Sequence, residues 1–245
     1  PAPAPPPTVE PITLKFIISM PYYPGGRDEY LADWATRITE NSKGELTVEF
    51  MGGGEIIPAY QQFDAVRTGV VDIAWLWPSF YVKQIPQVTC FVVSELSDKE
   101  EREVGFRDYI NDLHKKINLY YIGRIPRDAF YWISNKRIEE PYSGFRGLKF
   151  AVAGTLYNSF AAKLGITPTY VPALDRYSAL ERGVVDGAGI AGVGLCDLGY
   201  GEVCKYWIDH GFMPGGSAAI VVNLESWNKL SKHLQDLIWE EYDAM

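Results

Sequence analysis

One stretch of this chain occurs twice. Phe63-Asp-Ala-Val-Arg-Thr-Gly-Val-Val-Asp-Ile-Ala74 is matched by Tyr177-Ser-Ala-Leu-Glu-Arg-Gly-Val-Val-Asp-Gly-Ala188. When the two are aligned, Ala65 meets Ala179, and Gly69-Val70-Val71-Asp72 meets Gly183-Val184-Val185-Asp186. Each copy reads as the end of a helix, a glycine stop and a short buried strand. The repeat constrains the chain to an α/β fold with two similar lobes. A cleft between two lobes is where small ligands bind. Asp72 and Asp186 stand at matching positions, so they are read as caps of the turn into each strand and not as a catalytic pair.

With 245 residues, 47% of them hydrophobic, the chain has material for two small cores. A net charge of −8 argues against nucleic acid or an anionic membrane surface as a partner. No apolar run is long enough to span a bilayer. The start, Pro1-Ala-Pro-Ala-Pro-Pro-Pro7, reads as a semi-rigid spacer that suits a domain held off a surface. Cys90, Cys196 and Cys204 make an odd set without a disulfide framework. Cys196 and Cys204 are either paired or buried thiols. The three histidines, at 114, 210 and 233, lack metal-ligand spacing, so no metal or other cofactor is expected. Met51-Gly-Gly-Gly54 has no Gly-Lys-Ser/Thr after it, which excludes a P-loop. Aromatic residues make up 14% of the chain; most are ordinary core residues, and the remainder are a supply of rigid faces for a ligand.

Periodicity places strands at Thr13–Ser19, Leu46–Phe50, Ile73–Trp77, Leu119–Gly123 and Phe130–Ser134. A helix carries Tyr30, Leu31, Trp34, Ala35 and Ile38 on one face, and a second runs from Pro58 to Arg67. Ser97 to Glu100 is a capping box opening a charged helix to about Lys115. The polar stretch Asn135–Gly147 reads as the way into a second lobe. There the order repeats, with strands Leu148–Val152, Pro168–Val171 and Gly187–Ile190 and helices Leu156–Leu164 and Asp175–Arg182. A Gly-rich helix or turn covers Val193–Val203, and strands are expected at Lys205–Asp209 and Ala218–Asn223. The last helix is Ser231–Tyr242. The domains expected are a spacer over 1–11, lobe I over 12–124, lobe II over 125–210, and a return to lobe I over 211–245.

An ordered set of segments resembles the solute receptors of tripartite ATP-independent periplasmic (TRAP) transporters. The set comprises Leu14-Lys-Phe16, Pro58-Ala-Tyr-Gln-Gln-Phe-Asp-Ala-Val66, Gly69-Val-Val-Asp72, Ser134-Asn-Lys-Arg137 and Phe145-Arg-Gly-Leu-Lys-Phe150. It continues with Ala179–Ala188, Tyr200-Gly-Glu-Val-Cys-Lys-Tyr206 and Val222-Asn-Leu-Glu-Ser-Trp-Asn-Lys-Leu-Ser231. The resemblance implies a two-lobed periplasmic binding protein-like fold with hinge strands and a ligand held between the lobes. It also implies an exported protein, its signal peptide removed, that hands its ligand to membrane permease subunits. A tether to lipid through the N-terminal spacer fits that location. Family members usually carry further C-terminal helices, so these are expected to be missing beyond Met245.

Departures from the family bear on the ligand. Most members hold a carboxylate with an Arg in Gly-Leu-Lys-x-Arg, where this chain has Gly147-Leu-Lys-Phe-Ala151. A second Arg position falls on Phe130. The segment Gln-Glu-Asn-Pro becomes Ala188-Gly-Ile-Ala191, which puts Ile190 at a polar contact and Gly189 where metal-assisted members have Glu. Trp75 and Trp77 follow the first repeat. A buried carboxylate without a cation is disfavoured, so the resemblance with these losses implies an organic acid with an aromatic or apolar body. Its polar end is assigned to Arg124 or Arg127, each of which reads equally as a surface Arg. Tyr22 and Tyr23 read as cleft or as turn packing, and His210 as a ligand contact or a structural His. Ser19, Phe80, Gly154, Leu174 and Phe212 complete the candidate set.

The leading function is thus a receptor that closes on a small organic ligand, for which a monomer suffices. The alternative is a sensory module on the same fold that signals to a partner. An enzyme is disfavoured, because no nucleophile elbow, metal cluster or dinucleotide fingerprint is present.

Overall fold

The computed structural model describes residues 11–22, 24, 28–140, 143–152, 155–172, 175–192 and 198–245, with backbone alone at 126–128, 155 and 214–217. The chain forms two compact units. One holds residues up to Pro86 with Ser97–Ile125 and Ala218–Met245; the other holds Gln87–Leu96 and Pro126–Ser217. Residues 87–96, read above with lobe I, thus cluster with the second unit, and the chain passes into that unit at Pro126, ahead of the polar stretch 135–147.

The first unit is built on β1 (Ile12–Ile18), β2 (Leu46–Gly52), β3 (Ile73–Leu76) and the C-terminal part of β8 (Tyr206–Asn223). The strand order is β2-β1-β3-β8, with β1 parallel to both neighbours and β8 antiparallel to β3. Helix α1 (Glu29–Asn41) buries Leu31, Trp34, Ala35 and Ile38. Those positions make one apolar stripe at helical spacing. The Trp34 ring meets Phe16 edge-on at 5.4 Å, an arrangement that adds to the area it buries. Helix α2 (Ala59–Arg67) leads into the first repeat.

The charged helix after Ser97 is interrupted. The capping box is present, but α3 spans only Asp98–Glu103 and α4 (Phe106–Lys115) restarts after Gly105. Gly105 has φ +75°, a left-handed conformation that ends one helix and begins the next.

The second unit repeats the plan with β5 (Lys149–Val152), β6 (Thr167–Tyr170) and β7 (Gly187–Ala191), joined by α5 (Thr155–Lys163) and α6 (Arg176–Glu181). Its strand order is β4-β7-β5-β6, where β4 is Leu119–Ser134. The two strands expected between Leu119 and Ser134 are therefore one, as are the two expected between Lys205 and Asn223. Pro126 and the Pro214-Gly215-Gly216 run are residue types that usually interrupt strands, yet both lie inside continuous ones. Gly211 lets β8 approach β4 closely, since a Cβ there would stand 2.8 Å from that of Ala129. Short helices α7 (Tyr200–Val203) and α8 (Leu224–Lys229) precede the last helix, α9 (Lys232–Asp243). Among the described residues no helix is long and apolar enough to cross a membrane.

Candidate functional site

The repeated aspartates do the same structural work in each unit. Asp72 Oδ2 accepts the Lys15 backbone N–H at 2.8 Å, and the Asp72 N–H donates to Lys15 O at 2.9 Å. Asp186 Oδ2 accepts from Lys149 N–H at 2.9 Å, with the return bond at 2.7 Å. Gly69 and Gly183 precede them with φ +78° and +68°, turns that a side chain would strain. Each carboxylate pins the turn after a helix to the start of the central strand of its unit, so neither is free for acid–base chemistry.

In the first unit, Ser19 is buried and its hydroxyl donates to Trp75 O at 2.7 Å. The Trp75 ring is 1% exposed, and its Nε1–H donates to Ile125 O at 2.7 Å. That places the ring in the core, with Trp77 edge-on to it at 5.6 Å and partly exposed. Phe80 is half-buried in the turn Pro78–Phe80. The Tyr22 hydroxyl donates to Glu29 at 2.8 Å. Partial burial and that bond push its phenol up to about 12. Arg124 is buried and forms an ion pair with equally buried Glu101, Nε lying 3.0 Å from Oε1. Its charge is thus balanced inside the unit, unlike either reading from sequence, a grip on the ligand or a surface Arg.

In the second unit the candidates gather around aromatic rings. Phe130 and Trp132 are two apart on β4 and so share a face. Trp132 stacks on Phe212 of β8 with centroids 3.9 Å apart and planes at 7°. Phe160 lies parallel to Phe212 at 5.6 Å, while Tyr157 meets Phe130 at 5.0 Å and Phe212 at 6.0 Å, both edge-on. Gly189 faces Trp132 across the β4–β7 ladder, and a Cβ there would lie 3.1 Å from both Phe212 and Trp132. A larger residue at 189 would therefore displace the stack. Ala151 and Ile190 are buried, Ile190 opposite Tyr131, and His210 is exposed on β8. Tyr23, Gly154, Leu174 and the side chain of Arg127 lie outside the described residues.

Sequence reasoning missed Arg176. It reads as one more charge on a short helix, but the structure turns it inward. Its Nη1 donates to Gly189 O at 3.1 Å and its Nε to Val171 O at 3.4 Å. No carboxylate among the described residues pairs with it. Burial pulls its guanidinium below the ordinary value, while Tyr200, Tyr157 and Tyr170 nearby favour the charge. Burial likewise raises the Tyr157 phenol, against the pull of Arg176. Cys204 is a free buried thiol, pushed by burial up to about 11, and Cys196 lies outside the described residues. Among the described residues no cluster of His, Cys, Asp or Glu could hold a metal ion.

Residues 27–245 match bacterial extracellular solute-binding protein, family 7. The chain belongs to this family. Its members are solute-binding proteins and not enzymes. A Nostoc protein, the monocarboxylate 2-oxoacid-binding periplasmic protein, is 25% identical over 215 residues, covering 83% of this chain. The match spans 58% of that relative, so this chain accounts for little more than half of its length. A TRAP transporter solute binding protein from Bordetella bronchiseptica superposes with a TM-score of 0.79 at 23% identity, over 96% of this chain and 72% of that one. It holds copurified calcium and picolinate. A TRAP periplasmic solute binding protein from Desulfovibrio salexigens, with bound orotic acid, gives 0.79 at 21% identity over 95% and 76%. The fold of this chain is therefore the two-lobed one of TRAP solute receptors.

Proposed function

We propose that this family member is an extracytoplasmic receptor for a small organic acid with an aromatic or apolar body. Lobe closure captures the ligand, and a TRAP-type permease receives it from the closed receptor. The receptor works as a monomer in the periplasm, and a lipid tether ahead of the Pro-rich spacer belongs to the same proposal. One observation carries the ligand class. Where the family places charged grips at 130, 151 and 189 and a polar contact at 190, this chain has Phe130, Ala151, Gly189 and Ile190, and two of these lie within the ring cluster of Trp132, Tyr157 and Phe212. Rings of this kind hold flat apolar bodies, and a dicarboxylate would leave a charge unpaired against them. The acids bound by relatives, a 2-oxoacid monocarboxylate, picolinate and orotate, support the same class.

Thermal shift against a panel of acids tests this reading. Aromatic and branched monocarboxylates are expected to stabilise the protein by about 2–3 kcal/mol at a hundredfold excess over Kd, and succinate to do nothing. Stabilisation by succinate alone would contradict the proposed ligand class.

A further inference from the structure

Arg176, half-buried, has more donors than the described residues supply acceptors. A guanidinium taken out of water needs a partner charge or a full set of acceptors, because its desolvation is costly. Arg176 has five N–H donors, and the described structure supplies two backbone carbonyls, those of Val171 and Gly189. It also stands in the first turn of α6, where the helix dipole disfavours a cation. Arg124 shows the contrast within the same chain: it is fully buried and Glu101 balances it, whereas Arg176 is half-buried and bonded to carbonyls. Arg182, the C-cap of the same helix, is exposed.

What surrounds Arg176 is also particular. Gly189 presents its carbonyl to the guanidinium, and a Cβ on its Cα would run into the Trp132–Phe212 stack. Tyr157 interacts electrostatically with Arg176 and sits edge-on to Phe130 and Phe212. One cation and a set of ring faces thus adjoin within a single unit, joined through Gly189 and Tyr157. That is the chemistry that recognises a flat monocarboxylate: a planar fork of donors for the carboxylate and aromatic surface for the body.

We propose that Arg176 holds the carboxylate of the ligand in place of the strand arginine that Ala151 lacks, with the planar body against Phe130, Tyr157 and Phe212. This rests on the receptor reading above and narrows its ligand to planar monocarboxylates.

The test is calorimetric titration of the wild type, Arg176→Gln and Arg176→Leu with picolinate and phenylpyruvate, each beside its neutral amide. The wild type is expected to prefer each acid over its amide. Both variants are expected to bind the acids about tenfold to hundredfold more weakly, to bind the amides as before and so to lose the preference. Their unliganded Tm is expected to equal or exceed that of the wild type, because a half-buried cation with no carboxylate partner among the described residues has been removed. Variants that bind the acids like the wild type overturn this inference alone. A fall of Tm with the acid preference intact, or failure of both variants to fold, also overturns it, since Arg176 would then serve the fold. A wild type that binds neither acid but is stabilised by other monocarboxylates overturns this inference alone, and one that no acid of the panel stabilises overturns the receptor reading with it.

Discussion

Trp132 on β4 and Phe212 on β8 stack face to face, their centroids 3.9 Å apart. Gly189 makes that stack possible, for a side chain there would lie 3.1 Å from both rings. Gly189→Ala is expected to fold but to shift both rings by a few tenths of an ångström, at about 1–2 kcal/mol. Tryptophan fluorescence should change, and affinity for aromatic acids should drop while the first unit keeps its stability. Unaltered fluorescence and affinity would remove the stack from the site.

Arg124 and Glu101 test the opposite assignment, of a charge that belongs to the core. Breaking a buried pair strands its partner, so Arg124→Met should lose about 3–5 kcal/mol in equilibrium denaturation. Removing both charges together should recover part of that loss. A neutral Arg124→Met with weakened acid binding would return Arg124 to the ligand.

His114 gives the protein an acid-sensitive core. It is fully buried, its Nδ1–H donates to Ile110 O at 2.8 Å, and Nε2 lies 3.3 Å from the Tyr81 hydroxyl. Burial holds its pKa at about 4 against an ordinary 6.5. The unfolded chain therefore takes up the proton first on acidification. Stability is full above pH 6.5, is lost as pH falls toward 4, and by pH 5 is lower by about 2 kcal/mol from this group alone. Thermal denaturation of wild type and His114→Gln between pH 7 and 5 should show a steeper fall in the wild type.

The two repeats allow a matched comparison. Asp72 accepts the Lys15 N–H and also the Ser226 hydroxyl at 2.5 Å, whereas Asp186 Oδ2 accepts the Lys149 N–H. Asp72→Ala is expected to cost about 2–3 kcal/mol and Asp186→Ala about 1–2. Neither should change the preference for an acid over its amide, which separates scaffold from site.

Much of the fold was legible because its signals are local. The glycine stops at Gly69 and Gly183, the stripe of α1 and the capping box at Ser97 depend on near neighbours in sequence. The long strands were not legible, because Pro126 and Pro214-Gly215-Gly216 look like breaks until a neighbouring strand is paired alongside. Gly105 sits inside a charged run whose helical pattern masks its left-handed turn. The site divides in the same way. Phe130 and Phe212, both candidates in the sequence, lie in the ring cluster, while Trp75 is absorbed into the core. Arg124 and Arg176 look alike in sequence. What separates them is Glu101, whose distance from Arg124 in the chain no local pattern records.

The most direct measurement is to denature gently purified protein and identify by mass spectrometry what leaves it. The expected result is a monocarboxylate with a planar or branched apolar body, one per chain. A dicarboxylate or a sugar acid rich in hydroxyls would contradict the account, because neither Arg176 nor the rings around Phe212 could satisfy it.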